Sequence, residues 1–246
     1  MIPKIIHYCW FGRNPLPESA IKCINSWKKF FPDYEIKEWN EDNFDVNMIP
    51  YTHEAYEAKK YAFVSDYARM WVLYHYGGLY FDTDVEVIKS MDDIVARGPF
   101  MGIEVDDMDG VSVAVNPGLG LGTERGLSLY REILDYYSQL HFVLDDGKFN
   151  NVAIVRITSQ ALVNNGLSND NMLQKVANVW VYPSDFFNPL DDRTGVLKIT
   201  KNTRSVHWYT KTWMKKQNPL LKCIVRLIHR YIGCNSLKWL KQILKK

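Results

Sequence analysis

Acidic residues are missing from the C-terminal end of this 246-residue chain: from position 211 onward there are ten Lys or Arg and no Asp or Glu. The chain holds 30 basic and 28 acidic residues in all, so the first 210 positions carry 20 basic against 28 acidic. The formal net charge of +2 therefore joins a mildly acidic body to a strongly basic end, a split that favours an anionic partner surface. No nucleic-acid-binding module accompanies the basic end, so no nucleic-acid partner is expected. Long hydrophobic runs are missing as well. Nothing approaches the roughly 18 consecutive apolar residues of a membrane span. The opening MIPKIIHYCWFG lacks the basic-then-long-apolar pattern of a secretion signal and reads as a strand. Cysteine is scarce. The four (Cys9, Cys23, Cys223, Cys234) show neither CxxC nor zinc-type spacing, and without export they are expected as reduced cytosolic thiols. No internal repeat or low-complexity linker breaks the chain. With 47% hydrophobic and 14% aromatic residues, one large domain over 1–213 with a basic tail over 214–246 is expected.

What is present centres on residues 61–88, YAFVSDYARMWVLYHYGGLYFDTDVEVI: a helix, a Gly-Gly stop, a short apolar strand, Asp-Thr-Asp and a second apolar run. Around it, 2–11 reads as a strand and 18–31 as a helix with Ala20, Ile21, Ile24, Trp27 and Phe31 on one face. YEIKEW alternates as a strand after Pro32-Asp33, 40–50 is loop-like, and 54–76 is helical up to Gly77-Gly78. Residues 99–104 and 111–115 read as strands around an acidic loop at 106–110. GLGLGTERG is a turn region leading into a helix near 125–141. ALVNNGL ends a helix, VWVYP is a strand, and SVHWYTKTW closes the body. Alternating strands and helices predict an α/β layered fold.

Asp82 and Asp84 stand two apart at a strand end, and in an extended chain such residues point the same way. Carboxylates so placed suit Mg²⁺ or Mn²⁺ bridging to substrate phosphates; the alternative is a solvated acidic turn. Asp66 and Arg69 share a helix face, either as a plain ion pair or as acceptor and donor for sugar and phosphate. His207 is either a core histidine beside aromatics or a third metal ligand. Trp10 is either a core aromatic or a stacking face for a nucleobase.

Taken in this order, the segments resemble glycosyltransferase family 32, with its N-terminal IPKIIHxxWFG, its SDxxRxxxLxxxGGxYxDxD core and its closing SxHxxxxSW. The family includes yeast-type α-1,6-mannosyltransferases and many bacterial capsular polysaccharide transferases; the glucosylating clostridial toxins share its core. The matching positions are 2–12, Ser65-Asp66 with Arg69, 77–84 and 200–213. The resemblance implies a GT-A fold, a Rossmann-like mixed sheet flanked by helices, with retention of anomeric configuration and a bound Mn²⁺ or Mg²⁺. It implies Trp10 against the base, and Ser65, Asp66 and Arg69 at the donor sugar. Tyr80, Asp82 and Asp84 would face ribose, metal and diphosphate, with Asp84 the more direct metal ligand. His207 would complete the metal shell and Thr212-Trp213 would cover the diphosphate. Two departures stand out. Thr158-Ser159-Gln160 replaces a Thr-Gly-Pro that often precedes a helix, and the closing pair is Thr-Trp rather than Ser-Trp. No residue announces itself as a nucleophile; Asp66, Arg69, Asn116 and Asp170 are the catalytic candidates, and Asn116, Asn150, Asn151 and Asp170 those for an acceptor pocket.

Breaking a sugar–diphosphate bond leaves charge on the departing oxygens, which a divalent cation stabilises. An oxocarbenium-like transition state, attack on the same face and proton uptake by the leaving phosphate are the expected course. The donor is expected to be a UDP-sugar carrying a hexose or N-acetylhexosamine, with GDP-mannose second. The acceptor is expected to be a glycan, lipid-linked, of cell-surface polysaccharide synthesis. Residues 219–246 set Leu220, Ile224, Leu227, Ile228 and Tyr231, then Leu237, Leu240, Ile243 and Leu244, among basic residues and Trp239. They are read as interfacial helices on an anionic membrane, peripheral at the cytoplasmic face, against the alternative of helices packed on the body with a solvated basic face. Two other functions compete: a non-catalytic membrane scaffold, and a haloacid-dehalogenase-like phosphatase, whose strand-end DxD normally lies on the first strand rather than after about 80 residues.

Overall fold

The computed structural model describes residues 1–104, 113–212 and 218–233. Its elements are β1 (Ile5–Cys9), α1 (Glu18–Phe30), β2 (Glu35–Trp39), α2 (Pro50–Glu57), α3 (Tyr61–Tyr76), β3 (Gly78–Tyr80) and β4 (Val85–Val87). There follow α4 (Asp92–Arg97), β5 (Phe100–Glu104), β6 (Ala114–Val115), β7 (Leu121–Thr123), α5 (Ser128–Tyr137), α6 (Ile154–Asn164), β8 (Gln174–Val176) and β9 (Val179–Tyr182). The chain ends, as described, in α7 (Ser184–Phe187), β10 (Leu190–Asp191), β11 (Val196–Leu197), β12 (Ser205–His207) and α8 (Pro219–Ile232).

One mixed sheet runs in the order β2-β1-β3-β7-β5-β9-β8, with β6 on β5. β1 is parallel to both β2 and β3, β7 is antiparallel to β3 and β5, and β9 is parallel to β5. Strand alternation sends Ile6, Tyr8, Leu79 and Phe81 to one face, where Cys23, Ile24 and Trp27 of α1 cover them. It sends Cys9 and Tyr80 to the other, against α3, α5 and α6. This is the helix-flanked α/β sheet expected from the resemblance. The strand order reverses at β1, between β2 and β3, and ligands of such sheets bind outside the carboxyl ends at that point. Asp82 follows β3 at that end.

Several elements differ from their sequence reading. The helix over 54–76 is two helices: the chain turns at 58–60, where Lys59 takes φ 57°, a left-handed position that ends α2. On α1 the inward face includes Cys23, while Ile21 is exposed, because the stripe is narrower than the apolar spacing implied. The Gly-rich stretch after Pro117 holds a strand, β7, in mid-sheet. Its Gly122 lets Phe100 lie across it, since a Cβ there would sit 2.2 Å from the Phe100 ring. Such a segment has no alternating apolar side chains to reveal it. β8 was also unmarked in the sequence. The Thr158-Ser159-Gln160 run lies inside α6 rather than before it, and the acidic loop over 106–110 lies outside the described residues.

Candidate active site

The site begins where β3 meets β1. α3 stops at Gly77, and Gly78 (φ 101°) opens β3 so close to β1 that a Cβ would lie 2.6 Å from the Ile5 carbonyl oxygen. The strand ends in Tyr80, and Phe81 is fully buried. Asp82 to Asp84 then form a turn closed by Val85 N donating to Asp82 O at 3.0 Å. The two carboxylates thus converge through a turn, not through the strand alternation expected from their spacing. β4 leads away and pairs antiparallel with β12, His207 opposite Val85. That ladder brings a histidine from 123 positions further along the chain onto Asp84.

Asp84 Oδ1 lies 3.0 Å from His207 Nε2, and its Oδ2 accepts from Thr210 N (2.8 Å) and Thr210 Oγ1 (3.1 Å). Although burial alone would raise it, the Asp84 carboxyl is pushed down to about 2 by His207 and Thr210. Burial likewise disfavours charge on His207, but Asp84, Asp82 and Glu104 raise its pKa above the ordinary value. The other half of the site is held by Arg69. Its Nη2 donates to Asp66 Oδ1 at 2.8 Å and lies 3.3 Å from Asp82 Oδ1, and its guanidinium stands 5.0 Å from the centre of the Tyr80 ring. Tyr80 OH donates to Asp82 Oδ1 at 3.1 Å. Burial pushes the Asp66 carboxyl up to about 6, against the opposing pull of Arg69.

Asp82, Asp84 and His207 each offer one ligand atom, and these atoms lie within 4.8 Å of one another. Two carboxylate oxygens and an imidazole fit Mn²⁺ or Mg²⁺, with coordination positions left over for substrate oxygens. Among the described residues His207 Nδ1 has no hydrogen-bond partner, and Nε2 is the ring atom that faces Asp84.

Residues 17–101 match the family described as "Glycosyltransferase sugar-binding region containing DXD motif". The matched stretch is 85 of the 246 residues and contains Asp66, Arg69, Asp82 and Asp84. Inositol phosphoceramide mannosyltransferase 1 of Schizosaccharomyces pombe is 30% identical over 111 residues, covering 41% of this chain and 33% of that protein. Mannosyl phosphorylinositol ceramide synthase CSH1 of Saccharomyces cerevisiae is 29% identical over 105 residues, covering 41% and 28%. The matched part spans about a third of the length of these curated relatives. Among solved structures, a PaToxG glycosyltransferase superposes with a TM-score of 0.48 at 21% identity, covering 66% of this chain and 69% of that one.

Asp66, Arg69, Tyr80, Asp82 and Asp84 all lie inside the matched residues, and His207, outside them, joins them in the fold. Tyr80, set beside ribose by the resemblance, is buried with its hydroxyl on Asp82. Ser65 Oγ bonds within α3, to Tyr61 O. Trp10 is half-buried, its indole donating to Asn14 O. Asn116 is buried next to the site and supports Gly118 through its Oδ1. Asp170 is exposed and takes the Ser168 hydroxyl within its own loop. Asn150 is bound to the backbone of Phe142 and His141, and Asn151 is exposed at the start of the approach to α6. Thr212 is exposed, while Thr210, two residues earlier, supplies the hydroxyl on Asp84. Trp213 lies outside the described residues. Sequence reasoning missed Thr210 and Glu104, and left Tyr209 open as a plain core aromatic beside His207. Thr210 lies inside the matched closing motif and was available there; Glu104 carries no local signal.

Proposed function

We propose that this chain is a retaining, metal-dependent nucleotide-sugar glycosyltransferase that moves a hexose or N-acetylhexosamine onto a lipid-linked glycan of the cell surface. The observation that carries the reading is the cluster of Asp82, Asp84 and His207 joined through Asp82 to the Arg69–Asp66 pair. A divalent cation held by Asp82, Asp84 and His207 supplies charge stabilisation for the departing diphosphate. Arg69, fixed in orientation by two carboxylates, presents its remaining N–H groups to sugar or phosphate oxygens. Asp66 accepts from a sugar hydroxyl and fixes the ring against the DxD turn. Thr210 keeps Asp84 aimed into the cluster. UDP is the preferred nucleotide; the mannosyl activity in the yeast relatives' names supports GDP-mannose as the second.

The catalytic body is residues 1–213 and the tail 214–246, and the enzyme works peripherally at the cytoplasmic membrane face. No described helix is long and apolar enough to cross a membrane. The attitude of α8 supports the peripheral reading. Its cationic edge faces the body, with Arg226 on Asp192 (2.9 Å), His229 against Arg193 O and Arg230 on Thr194 O. Leu220, Leu221, Ile224, Leu227 and Tyr231 are exposed on the outer side. This reverses the packed alternative, in which the basic face would be solvated.

The test is donor hydrolysis by purified protein with Mn²⁺ over a panel of UDP- and GDP-sugars. Release of UDP or GDP from one donor, lost with EDTA and in Asp84→Ala, is the expected result. Failure of every donor, together with no Mn²⁺-dependent nucleotide binding by calorimetry, would overturn the transferase reading.

A further inference from the structure

We propose that Glu104 is the positioning residue of the metal cluster, a single carboxylate on which the supports of both Asp82 and His207 converge. The inference rests on reading Asp82, Asp84 and His207 as metal ligands. Glu104 ends β5, and among the described residues each of its oxygens takes one hydrogen bond. Oε2 accepts from Asn116 Nδ2 at 2.8 Å, and Oε1 accepts from Tyr209 OH at 2.7 Å.

The Asn116 arm leads to Asp82. With its amide nitrogen held by Glu104, Asn116 turns Oδ1 to accept from Gly118 N at 2.7 Å. Gly118 O in turn accepts from Asp82 N at 3.3 Å. The loop lies hard against the carboxylate: a Cβ on Gly118 would sit 2.2 Å from Asp82 Oδ2. Any relaxation of the 116–118 loop therefore moves or frees the Asp82 side chain.

The Tyr209 arm leads to His207. The Tyr209 ring packs edge-on to the imidazole, with centroids 4.1 Å apart at 63°. Tyr209 has φ 50°, a left-handed backbone that a bulky residue adopts only where its surroundings hold it there. Its anchor is the hydroxyl, which donates its one proton to Glu104 and has the Asn188 side-chain amide 2.8 Å away on the other side. Removing Glu104 loosens the ring that fixes the plane of His207, and residues that orient metal ligands are typically worth 10–100-fold in metal affinity. Glu104 is a positioning residue here because it touches Asn116 and Tyr209, not the cluster's ligand atoms.

The experiment is titration of the full chain with Mn²⁺ alone, with free ion followed by electron paramagnetic resonance, alongside metal-free melting. Glu104→Ala is expected to weaken Mn²⁺ binding at least about 10-fold. Glu104→Gln, which keeps the shape and one acceptor, is expected to recover most of that loss, and Tyr209→Phe, which cuts one arm, to fall between them. A folded Glu104→Ala with Mn²⁺ affinity within about twofold of wild type overturns the inference, whatever its melting temperature, because a purely structural role predicts that result. Should Glu104→Ala fail to fold, Tyr209→Phe decides: wild-type affinity there overturns the inference, and weakened affinity supports it. Wild-type protein that takes up no Mn²⁺ overturns the metal reading itself, and the inference with it.

Discussion

Arg69, proposed to hold sugar or phosphate oxygens, is also a structural residue. It is 5% exposed and stands between Asp66 and Asp82, so its loss leaves two carboxylates facing each other with little solvent. Breaking a buried ion pair from one side costs about 3–5 kcal/mol. Arg69→Met is accordingly expected to lower the unfolding free energy by about 3 kcal/mol in urea at neutral pH, and Arg69→Lys by less, since lysine keeps the charge but not the planar fork. A loss below about 1 kcal/mol would mean that the two carboxylates are hydrated or protonated without cost. The spacing of Asp66 and Arg69 makes the pair legible in the sequence, because residues three apart on a helix are neighbours. Asp82 as its third member is not legible, since it depends on where β3 lies against α3.

Among elements, β1 is locked into the sheet by a histidine that has to stay neutral. His7 is fully buried; Trp39 Nε1 of β2 donates to its Nδ1 at 3.0 Å, and its Nε2 faces Gly77 O at 2.9 Å. Nδ1 is therefore an acceptor and Nε2 carries the hydrogen, with no room for a second proton opposite the indole N–H. Burial, with a smaller contribution from Lys37, lowers the His7 pKa to about 4 from about 6.5. The unfolded chain binds this proton more readily, so stability is complete above pH 6.5 and is lost as pH falls toward 4. Over that window about 3 kcal/mol is at stake, at 1.36 kcal/mol per pKa unit. Thermal melts from pH 7.5 to 4.5 are expected to show the decline, and Trp39→Phe, which frees Nδ1, to flatten it; an unchanged slope in that variant would contradict this account. β1, β2 and α1 were readable from alternation and helical spacing. β7 and the α2–α3 break were not, because a glycine strand and a left-handed lysine leave no periodic signature.

At the scale of the whole molecule, the proposed membrane contact rests on charge and on the attitude of α8. Asp192 is a single carboxylate shared by Lys211, Lys222 and Arg226, so the junction of α8 with the body keeps an excess of positive charge beside an exposed apolar stripe. Vesicles with anionic phosphatidylglycerol are expected to co-sediment the protein better than neutral phosphatidylcholine vesicles, with binding falling as salt shortens the screening length from about 10 Å to about 3 Å. Ile224→Glu with Leu227→Glu should abolish most of that binding while shifting the melting temperature by less than about 4 °C, because both side chains are exposed and surface changes rarely exceed about 0.5 kcal/mol. Full binding by the double variant would rule out this face as the contact. The sequence by itself determined the α/β class, the Asp66–Arg69 helix pair, and the division into acidic body and basic end, because these follow from local spacing and composition. Only the tertiary structure decided that Thr210 and His207 close on Asp84, that Glu104 ties two distant loops to the cluster, and that α8 turns its apolar side outward. Each of these depends on contacts between residues far apart in the chain, created by the β4–β12 ladder, the end of β5 and the β10–β11 turn, and no local pattern encodes such contacts.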